Sequence, residues 1–393
     1  MKILYLINGL GFSDNTGIGG ADKRAVEIAR QSNQFSVLTT ASGYNLFKNN
    51  EGLDTTYYTI NQPSFWPKGI NKNLIGRMLS YIYATFASLT YASKVKNYDM
   101  YFPSSDFFFD VIPAYFFKLA NHKKLVCVIH HHIQNPFKRK GPLLVNMLLF
   151  LLQQLSIIFL KVTAEAIFLY DTPEGHYIAE NLLKSYKGKI FFMKNGISVE
   201  AIDSVPTQEK IYDACFVGGI RPSKGIADFV KIWKSVTAEI PKAKFAVIGG
   251  GSEENVNKLK EEIYQAGLQE NIILFGPLSG SAVYKILKQS KVFMSPSYEE
   301  GWGIAVCEAM YCELPIVCYD LPAYKVFGTG LKKVEVGNYE EFAKNILALL
   351  KDPKMSSEIG IQLKNIAGNF TWKNIAKEDS EFLSQILQGT IIV

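Results

Sequence analysis

Short apolar segments alternate with longer amphipathic segments along the whole 393-residue chain, and this alternation most limits how the chain can fold. Apolar runs such as KILYLI at 2–7 and YDACFV at 212–217 have the length of buried strands, and the segments between them have the length of helices. Repeated strand and helix predict parallel sheets covered by helices. Because the chain is too long for one ordinary core, we expect two domains.

The alternation forms two series. Predicted strands of the first series are 2–7, 35–40, 98–103, 125–129, 166–170 and 190–193, with helices near 21–31, 74–95, 107–121 and 142–163. Predicted strands of the second series are 212–217, 244–249, 272–276, 292–296 and 316–320, with helices near 225–239, 253–266, 280–290, 303–313 and 339–351. The polar stretch IDSVPTQEK at 202–210 separates them and predicts a linker, so the expected domains are 1–201 and 211–370.

Charge is distributed unevenly between the two series. Residues 1–200 contain 21 Lys and Arg against 13 Asp and Glu, a net charge of +8, whereas residues 201–393 contain 21 against 23, a net charge of −2. The positive half favours an anionic partner, either a phosphate or an acidic membrane face. Nucleic acid is not expected, because the basic residues are scattered and no binding module accompanies them.

The N-terminus and the cysteines indicate the compartment. Lys2 is followed at once by ILYLI, which has the length of a strand, so we expect no signal peptide. The five cysteines are an odd number without metal-site spacing and lie mostly in apolar runs. They are typical of reduced core residues in a cytoplasmic protein.

The apolar stretch 142–160 is long enough to suggest a membrane span. Asn146, Gln153, Gln154 and Ser156 interrupt it, and it lies between two strands that must reach one sheet, so a spanning helix is rejected. Two interpretations stay open. The segment is either a core helix buried against the sheet, or a helix that rests on anionic lipid beside Lys138, Arg139 and Lys140.

A glycine-rich loop, GLGFSDNTGIGGADK, follows the first strand and leads into a helix near Ala21. Gly17, Gly19 and Gly20 allow the backbone to approach a ligand closely, and the helix N-terminus favours a phosphate. The spacing is neither the dinucleotide GxGxxG pattern nor a P-loop with its lysine. A purely structural turn is the alternative.

Three histidines, His130 to His132, follow the predicted strand 125–129. Adjacent residues of an extended chain point to alternate sides, so the three cannot all bind one metal ion, and no cysteine or acidic cluster accompanies them. His130 lies at the carboxyl end of its strand, where it could contact a substrate or be a hydrogen-bonded structural residue. His131 is the competing choice for a substrate contact.

Glu300 and Glu308 lie eight residues apart in EEGWGIAVCEAMYCELP at 299–315. The first precedes a helix N-terminus and can accept hydrogen bonds from sugar hydroxyls, while the free N–H groups behind it can face a diphosphate. The second lies one to two turns into the helix, where it can hold a ribose. Acidic residues are also common at solvated helix starts, so the spacing alone leaves that interpretation open.

Two further segments lie at predicted strand ends in the second series. GGIRPSKG, after 212–217, contains Arg221 and Lys224, two cations that could neutralise a diphosphate leaving group or belong to a solvated turn. Three glycines at 249–251, with Gly250 in the middle, end the next strand.

Taken together, these segments resemble the retaining glycosyltransferases of family 4, which have the GT-B fold. The segments that carry the resemblance are GIGGA at 17–21, His130, KNG at 194–196, VGGIRPSKG at 217–225, IGGG at 248–251, LFGPL at 274–278, SPSYEEGWGIAVCEAM at 295–310 and FTW at 370–372. Two segments differ from the family pattern. Gly219 stands where the family usually has an arginine, and LPAYKVFGTG replaces the usual glycine-rich segment after 316–320.

The resemblance implies an α/β protein in which two Rossmann-like domains face each other across a cleft, with a C-terminal helix, 371–393, that crosses back to the first domain. It implies a retaining, metal-independent hexosyltransferase. The cysteines, the positive first half and the apolar segment 142–160 add the expectation of a cytoplasmic protein that is peripheral on the membrane. Such an enzyme needs no cofactor. Its donor is a nucleotide-diphosphate sugar, UDP- or GDP-linked, and its acceptor is a glycan or is lipid-linked.

The resemblance also implies the roles of the site residues. Arg221, Lys224 and the loop of Gly19 and Gly20 would hold the diphosphate, Glu300 and His130 would contact the donor sugar, and Glu308 would bind the ribose. Further donor-binding residues are Gly250, Gly301, Trp302, Gly303 and Ile304. Gly219 favours one alternative, a catalytically silent partner of a transferase that binds a nucleotide sugar. The other alternative is a nucleotide-sugar epimerase.

Overall fold

The chain forms two compact units in the computed structural model, which describes residues 1–12, 19–67, 74–133, 135–137, 139, 142–278 and 280–389. The first unit is Met1–Asn195 together with the C-terminal helix that begins at Trp372, and the second is Gly196–Thr371. The division at Asn195 precedes the stretch 202–210 that the sequence suggested as a linker. Gly17, Lys138 and Lys140, named above, lie outside the described residues.

The first unit is built on a seven-stranded parallel sheet with the order β3-β2-β1-β4-β5-β6-β7. Its strands are β1 (Ile3–Ile7), β2 (Phe35–Thr40), β3 (Tyr57–Ile60), β4 (Met100–Pro103), β5 (Lys124–Ile129), β6 (Ala166–Tyr170) and β7 (Lys189–Met193). Its helices are α1 (Gly20–Arg30), α2 (Ala41–Tyr44, continued by a π-helical turn Asn45–Asn50), α3 (Leu74–Leu89), α4 (Phe108–Asn121), α5 (Leu143–Thr163) and α6 (Pro173–Tyr177, continued by a π-helical turn Ile178–Leu182).

The second unit is built on a six-stranded parallel sheet with the order β10-β9-β8-β11-β12-β13. Its strands are β8 (Tyr212–Val217), β9 (Phe245–Ile248), β10 (Ile272–Gly276), β11 (Ser290–Ser295), β12 (Ile316–Tyr319) and β13 (Lys332–Val334). Its helices are α7 (Val199–Asp203), α8 (Ile226–Glu239), α9 (Glu253–Gln265), α10 (Ser281–Lys288), α11 (Ile304–Tyr311), α12 (Tyr339–Lys351) and α13 (Pro353–Ala367), with 3₁₀ turns at Pro222–Lys224 and Pro322–Phe327.

Each sheet has one point at which the order of its strands reverses. In the second unit this point lies between β8 and β11, which pair in parallel with Val292 beside Ala214. Connections on either side leave such a point in opposite directions, so a crevice forms at the carboxyl ends of the two strands, where open parallel sheets bind their ligands. The loops after β8 and β11 carry Lys224 and Glu300 to this edge.

The helix boundaries of the second unit follow from side-chain caps. Ser252, Asn338 and Asp352 precede α9, α12 and α13, and the side chain of each accepts a hydrogen bond from a backbone N–H three residues on. Proline at the first position of α13 needs no hydrogen-bond partner there and separates this helix from α12.

The C-terminal helix α14 (Trp372–Gln388) packs on α1 and β7 of the first unit. Asp379 forms a salt bridge of 2.6 Å with Arg24 of α1, and both side chains are almost fully buried. The Arg24 guanidinium also donates to the Lys194 carbonyl at 3.3 Å, next to the end of this unit. Removing either partner would leave a buried charge without its counterion.

Helix α5 buries polar side chains and exposes many of its apolar ones. Its buried residues include Asn146, Gln153 and Ser156, whereas Leu144 is 80% and Val162 is 82% exposed. Gln153 donates to Asp106 at 2.9 Å and accepts from the Ile133 N–H at 2.7 Å. The helix has the length and composition of a membrane span, and only 28% of its apolar window is buried inside the protein. Ile157 and Leu160 of the same helix pack in the hydrophobic core of the unit, so burial against the sheet accounts for one side of α5, while most of its apolar residues are exposed.

Candidate functional site

The loop that follows β8 and the loop that follows β11 cross at Gly225. Gly225 has φ +70° and ends the turn Pro222–Lys224, and a Cβ atom there would lie 1.8 Å from the Pro296 carbonyl oxygen. The Tyr298 N–H donates to the Ser223 carbonyl at 2.9 Å across the same crossing. Only glycine permits both the left-handed conformation and this approach, so it sets the distance between the two loops.

The crossing brings Lys224 and Glu300 together. The Lys224 ammonium donates to Oε1 of Glu300, and the Ser297 hydroxyl donates to the same oxygen at 2.9 Å. The side chains of Lys224 and Glu300 are 13% and 15% exposed, so the pair is partly withdrawn from water and still reachable. Two residues that the sequence placed at separate motifs thus form one ion pair at the carboxyl edge of the sheet.

Arg221 lies at the start of the same turn, and it is exposed. A Cβ atom placed on Gly219 would lie 3.8 Å from Cδ and 3.9 Å from Nε of Arg221. The Arg221 side chain therefore passes beside the position from which an arginine at residue 219 would project. A cation is present at this place although residue 219 is glycine.

The three glycines after β9 pack against the loop that follows β8. A Cβ atom on Gly249, which has φ +151°, would lie 1.8 Å from the Gly218 carbonyl oxygen, and one on Gly251 would lie 2.2 Å from that of Ile220. The Ile220 N–H donates to the Gly250 carbonyl at 2.7 Å. The outer glycines are thus required by backbone packing, and Gly250 has only ordinary contacts, with Pro277, at the position of a Cβ.

Helix α11 begins immediately behind Glu300. Gly303 precedes its first residue, Ile304, with φ +101°, and neither a side-chain cap nor an acidic residue occupies the first turn. The first N–H groups of a helix have no partner within it, and the helix dipole adds positive potential there. Trp302 holds this loop in place, because its buried ring packs on Phe327 and Phe370 with centroids 4.9 and 5.3 Å away.

Glu308 lies one turn further along α11 and is 6% exposed. The Tyr284 hydroxyl of α10 donates to its Oε1 at 3.2 Å. Sequence reasoning missed Tyr284, because a tyrosine within an amphipathic helix gives no signal of which side chain it contacts. This hydrogen bond fixes one carboxylate oxygen of Glu308 and orients the other.

In the first unit, His130 follows β5, and both of its ring nitrogens bond to protein. Nε2 lies 2.6 Å from the Ser104 carbonyl oxygen and Nδ1 lies 3.1 Å from the Tyr170 hydroxyl. Burial lowers the pKa of His130 to about 4, so the ring is neutral near pH 7. Because a carbonyl can only accept, Nε2 carries the proton, and the unprotonated Nδ1 faces the Tyr170 hydroxyl, which also lies 3.4 Å from Oδ1 of Asn195. The sugar contact of His130 stays a prediction, while His131 is exposed.

The N-terminus of α1, after Gly19, differs electrostatically from that of α11. Asp22 lies in its first turn and accepts a hydrogen bond from the Gly19 N–H. Burial raises the pKa of Asp22 to about 6. An anion at Gly19 and Gly20 would therefore meet a carboxylate near neutral pH, whereas an anion at α11 would not.

Metal ligands are not clustered in the part of the chain that the structure describes. No group of three or more His, Cys, Asp or Glu side chains there is arranged to hold a metal ion. The positive potential at the Lys224 edge comes from the lysine, Arg221 and the N-terminus of α11.

Comparison with known proteins identifies the part of the chain that contains this edge. Residues 200–365 match the family of glycosyl transferases group 1. The matched segment is less than half of the chain and lies within the second unit. Lys224, Glu300, Gly303 and Glu308 all lie inside this matched segment.

Two curated relatives and one solved structure extend the comparison. The poly(glycerol-phosphate) alpha-glucosyltransferase of Bacillus subtilis is 25% identical over 236 residues, which is 57% of this chain and 34% of that protein. The alpha-galactosylglucosyldiacylglycerol synthase of Streptococcus pneumoniae is 25% identical over 202 residues, 48% of this chain and 52% of that protein. The chain therefore spans about a third to a half of the length of these relatives.

HepE of Anabaena, solved in complex with UDP and glucose, superposes with a TM-score of 0.76 over 98% of this chain and 99% of that one. At 16% identity this likeness concerns the fold alone. The predicted α/β fold class with two domains of the GT-B type is confirmed.

Replacing Gly225 by alanine tests the crossing of the two loops. We expect Gly225→Ala to lower the free energy of unfolding by more than the ~1–2 kcal/mol that a left-handed alanine costs, because the methyl group collides with Pro296. Gly267→Ala is the matched control, since Gly267 has φ +69° and open space around its Cβ position. Urea unfolding of both variants measures the difference, and equal losses would contradict the role of the crossing.

The protonation of His130 is a second test. The pKa of His130 in the folded state lies below its ordinary value of about 6.5, so the unfolded chain takes up a proton at higher pH than the folded chain does. His130 therefore lowers the free energy of unfolding as the pH falls from about 6.5 to about 4. We expect long-range ¹⁵N–¹H NMR spectra to show a neutral ring with the proton on Nε2 until the pH approaches 4. A His130 signal that titrates near 6.5 would contradict the described hydrogen bonds.

Proposed function

We propose that this protein is a retaining, metal-independent glycosyltransferase of the family 4 type. In this proposal it transfers a hexose from a nucleotide-diphosphate sugar to a glycan or a lipid-linked acceptor. The observation that carries the proposal is the Lys224–Glu300 pair beside the uncapped N-terminus of α11. The match of residues 200–365 to the group 1 family supports it, and so do the names of the two relatives, a poly(glycerol-phosphate) alpha-glucosyltransferase and an alpha-galactosylglucosyldiacylglycerol synthase.

Donor binding is proposed to exchange the partners of the ion pair. The diphosphate lies at the first N–H groups of α11 and draws the Lys224 ammonium from Glu300. Glu300 then accepts hydrogen bonds from hydroxyls of the donor sugar. Both partly buried charges keep a partner throughout, which avoids the cost of leaving either one unpaired. Glu308, oriented by Tyr284, accepts from the ribose hydroxyls.

Transfer breaks the bond between the anomeric carbon and the diphosphate oxygen. Negative charge develops on that oxygen, where Lys224, Arg221 and the helix dipole stabilise it. The acceptor oxygen bonds to the anomeric carbon on the face that the phosphate leaves, and the acceptor proton passes to the leaving phosphate oxygen. The configuration at the anomeric carbon is retained, and no metal ion or cofactor takes part.

Replacing Lys224 tests this role. We expect Lys224→Gln to lower kcat by about 10²–10³-fold, as for the loss of a group that stabilises charge in the transition state, and to change the Kd of the nucleoside diphosphate much less. Lys234→Gln is the matched control, because Lys234 is exposed on α8 of the same unit. Normal turnover in Lys224→Gln would exclude the assignment to the leaving group.

A panel of UDP-, GDP-, ADP- and dTDP-sugars separates the proposed function from the two alternatives. Thermal stabilisation by one of them, with slow hydrolysis or transfer, supports the transferase. Thermal stabilisation by a nucleotide sugar without hydrolysis, and without transfer to any acceptor offered, supports the silent binding partner. Formation of an epimeric nucleotide sugar supports the epimerase.

We further propose that the first unit rests on an anionic membrane surface at the cytoplasmic side, where a lipid-linked acceptor is available. The polar side of α5 is hydrogen-bonded to its own unit, so the helix offers lipid one apolar face and does not span. Helix α4 packs on α5 and helix α3 packs on α4, and both add exposed apolar residues. The apolar face consists of Ile75, Leu79, Ile82, Phe86, Ile112, Phe116, Leu119, Leu144, Leu151, Leu155, Ile158 and Val162.

The positive charge of the first 200 residues also favours contact with an anionic membrane. The net charge of +8 on residues 1–200 attracts anionic headgroups. An amphipathic surface of this kind combines burial of apolar side chains in the acyl region with attraction to the headgroups.

Flotation with vesicles of phosphatidylcholine and phosphatidylglycerol tests the surface. We expect the protein to float with these vesicles and the triple variant Leu151→Ser, Leu155→Ser, Ile158→Ser to float several-fold less, because each serine removes apolar area that lipid would bury. The control variant Tyr264→Ser, Ile361→Ser removes exposed apolar side chains of the second unit. Equal flotation of all three proteins would contradict the proposal.

A further inference from the structure

A cavity of about 410 Å³ lies in the second unit at the opposite edge of its sheet from the Lys224–Glu300 pair. Lys210 precedes β8, Lys291 is the second residue of β11, and Pro315 precedes β12, so the cavity opens at the amino ends of these strands. The Lys224–Glu300 pair follows the carboxyl ends of β8 and β11. The two places are therefore separated by the length of the strands, and the cavity is not part of the candidate site.

Four lysines line the cavity, and the two carboxylates that line it already have partners. Glu313 pairs with Lys364 at 2.7 Å, and Asp203 accepts from the Tyr311 hydroxyl at 3.0 Å. Lys291 pairs at 2.8 Å with Asp213, which lies outside the lining. The lining thus carries more positive than negative charge.

The remaining two lysines, Lys210 and Lys288, have only backbone carbonyl partners. Lys210 donates to Ser290 at 2.7 Å and Lys288 donates to Val205. Within the described residues, neither ammonium group forms a salt bridge. An ammonium group has three N–H donors, so each of these lysines keeps two for a ligand.

The remainder of the lining is partly apolar. Leu349, Leu350, Pro315 and Pro353 contribute apolar surface, and Tyr311 contributes an aromatic ring. A volume of about 300–1,000 Å³ is typical of sites for small ligands, and this cavity falls in the lower part of that range. It matches a ligand with one strongly anionic group and a compact organic body.

We propose that this cavity binds a small phosphate ester, with the phosphate between Lys210 and Lys288 and the organic body against the apolar wall. Lysine ammonium groups bind phosphate as point charges, without the planar geometry that arginine imposes. Tyr311 and Cys312, at the C-terminal end of α11, line the cavity, so the ligand contacts the helix that carries Glu308. The inference does not rest on the proposed transferase function.

Lysine labelling with an acetylating reagent, read residue by residue by mass spectrometry, tests the proposal on the full chain. The probes are glucose 6-phosphate and inorganic phosphate, with glucose and an equal ionic strength of sodium chloride as controls. We expect glucose 6-phosphate to slow labelling of Lys210 and Lys288 several-fold, while Lys285, an exposed lysine of α10 outside the cavity, is unaffected. Slower labelling of Lys224 with unchanged labelling of Lys210 and Lys288 would place the ligand at the other edge of the sheet and overturn the proposal.

A variant pair completes the test. Lys210→Gln with Lys288→Gln should abolish the increase in Tm that glucose 6-phosphate produces. Lys285→Gln with Lys344→Gln should leave it unchanged, because Lys344 is an exposed lysine of α12 outside the cavity. Three results would overturn the proposal: no protection of Lys210 and Lys288 by either phosphate probe, equal protection by sodium chloride, or an unchanged increase in Tm in the first variant. Because none of these measurements uses a nucleotide sugar, failure here is distinguishable from failure of the transferase proposal.

Discussion

The contact between Gly225 and the Pro296 carbonyl is the constraint on which the candidate site depends. The reversal of strand order between β8 and β11 sends two loops past each other at one edge of the sheet, and only a residue without a side chain lets them touch. The ion pair of Lys224 and Glu300, the position of Arg221 and the start of α11 all follow from that distance. A residue with a side chain at position 225 would displace all of these groups, although their own amino-acid types would be unchanged.

Sequence patterns predicted the fold class and most of the elements, because buried parallel strands are continuous apolar runs that are easy to recognise. Two strands at or near sheet edges were missed: β3, YYTI, is short and half exposed, and β13, KKV, begins with two lysines. Helix α13 was missed as well, because its three buried positions, Gly360, Leu363 and Ala367, give a weak apolar pattern. The sequence of a short strand or helix does not show how much of its surface the neighbouring elements bury.

The candidate site could be predicted in part. Glu300, Glu308 and Lys224 were predicted as site residues because carboxylates and cations at strand ends stand out among apolar runs, and the structure pairs Lys224 with Glu300. Their contacts could not be foreseen, since Tyr284 reaches Glu308 from another helix and Ser104 and Tyr170 reach His130 from other strand ends. The burial of the polar side chains of α5 could not be foreseen either, because most residues of that segment are apolar.

The Lys224–Glu300 pair also has a consequence for selectivity. An inorganic anion that attracted Lys224 would leave Glu300 without its cation, in a place that is mostly withdrawn from water. A ligand that brings a phosphate and several hydroxyls together satisfies both members of the pair at once. Under the proposed function, the nucleoside diphosphate that remains after transfer has lost the sugar and satisfies only the lysine. The free site would then favour the intact donor over its own product, and closure of the ion pair would assist departure of the spent nucleotide.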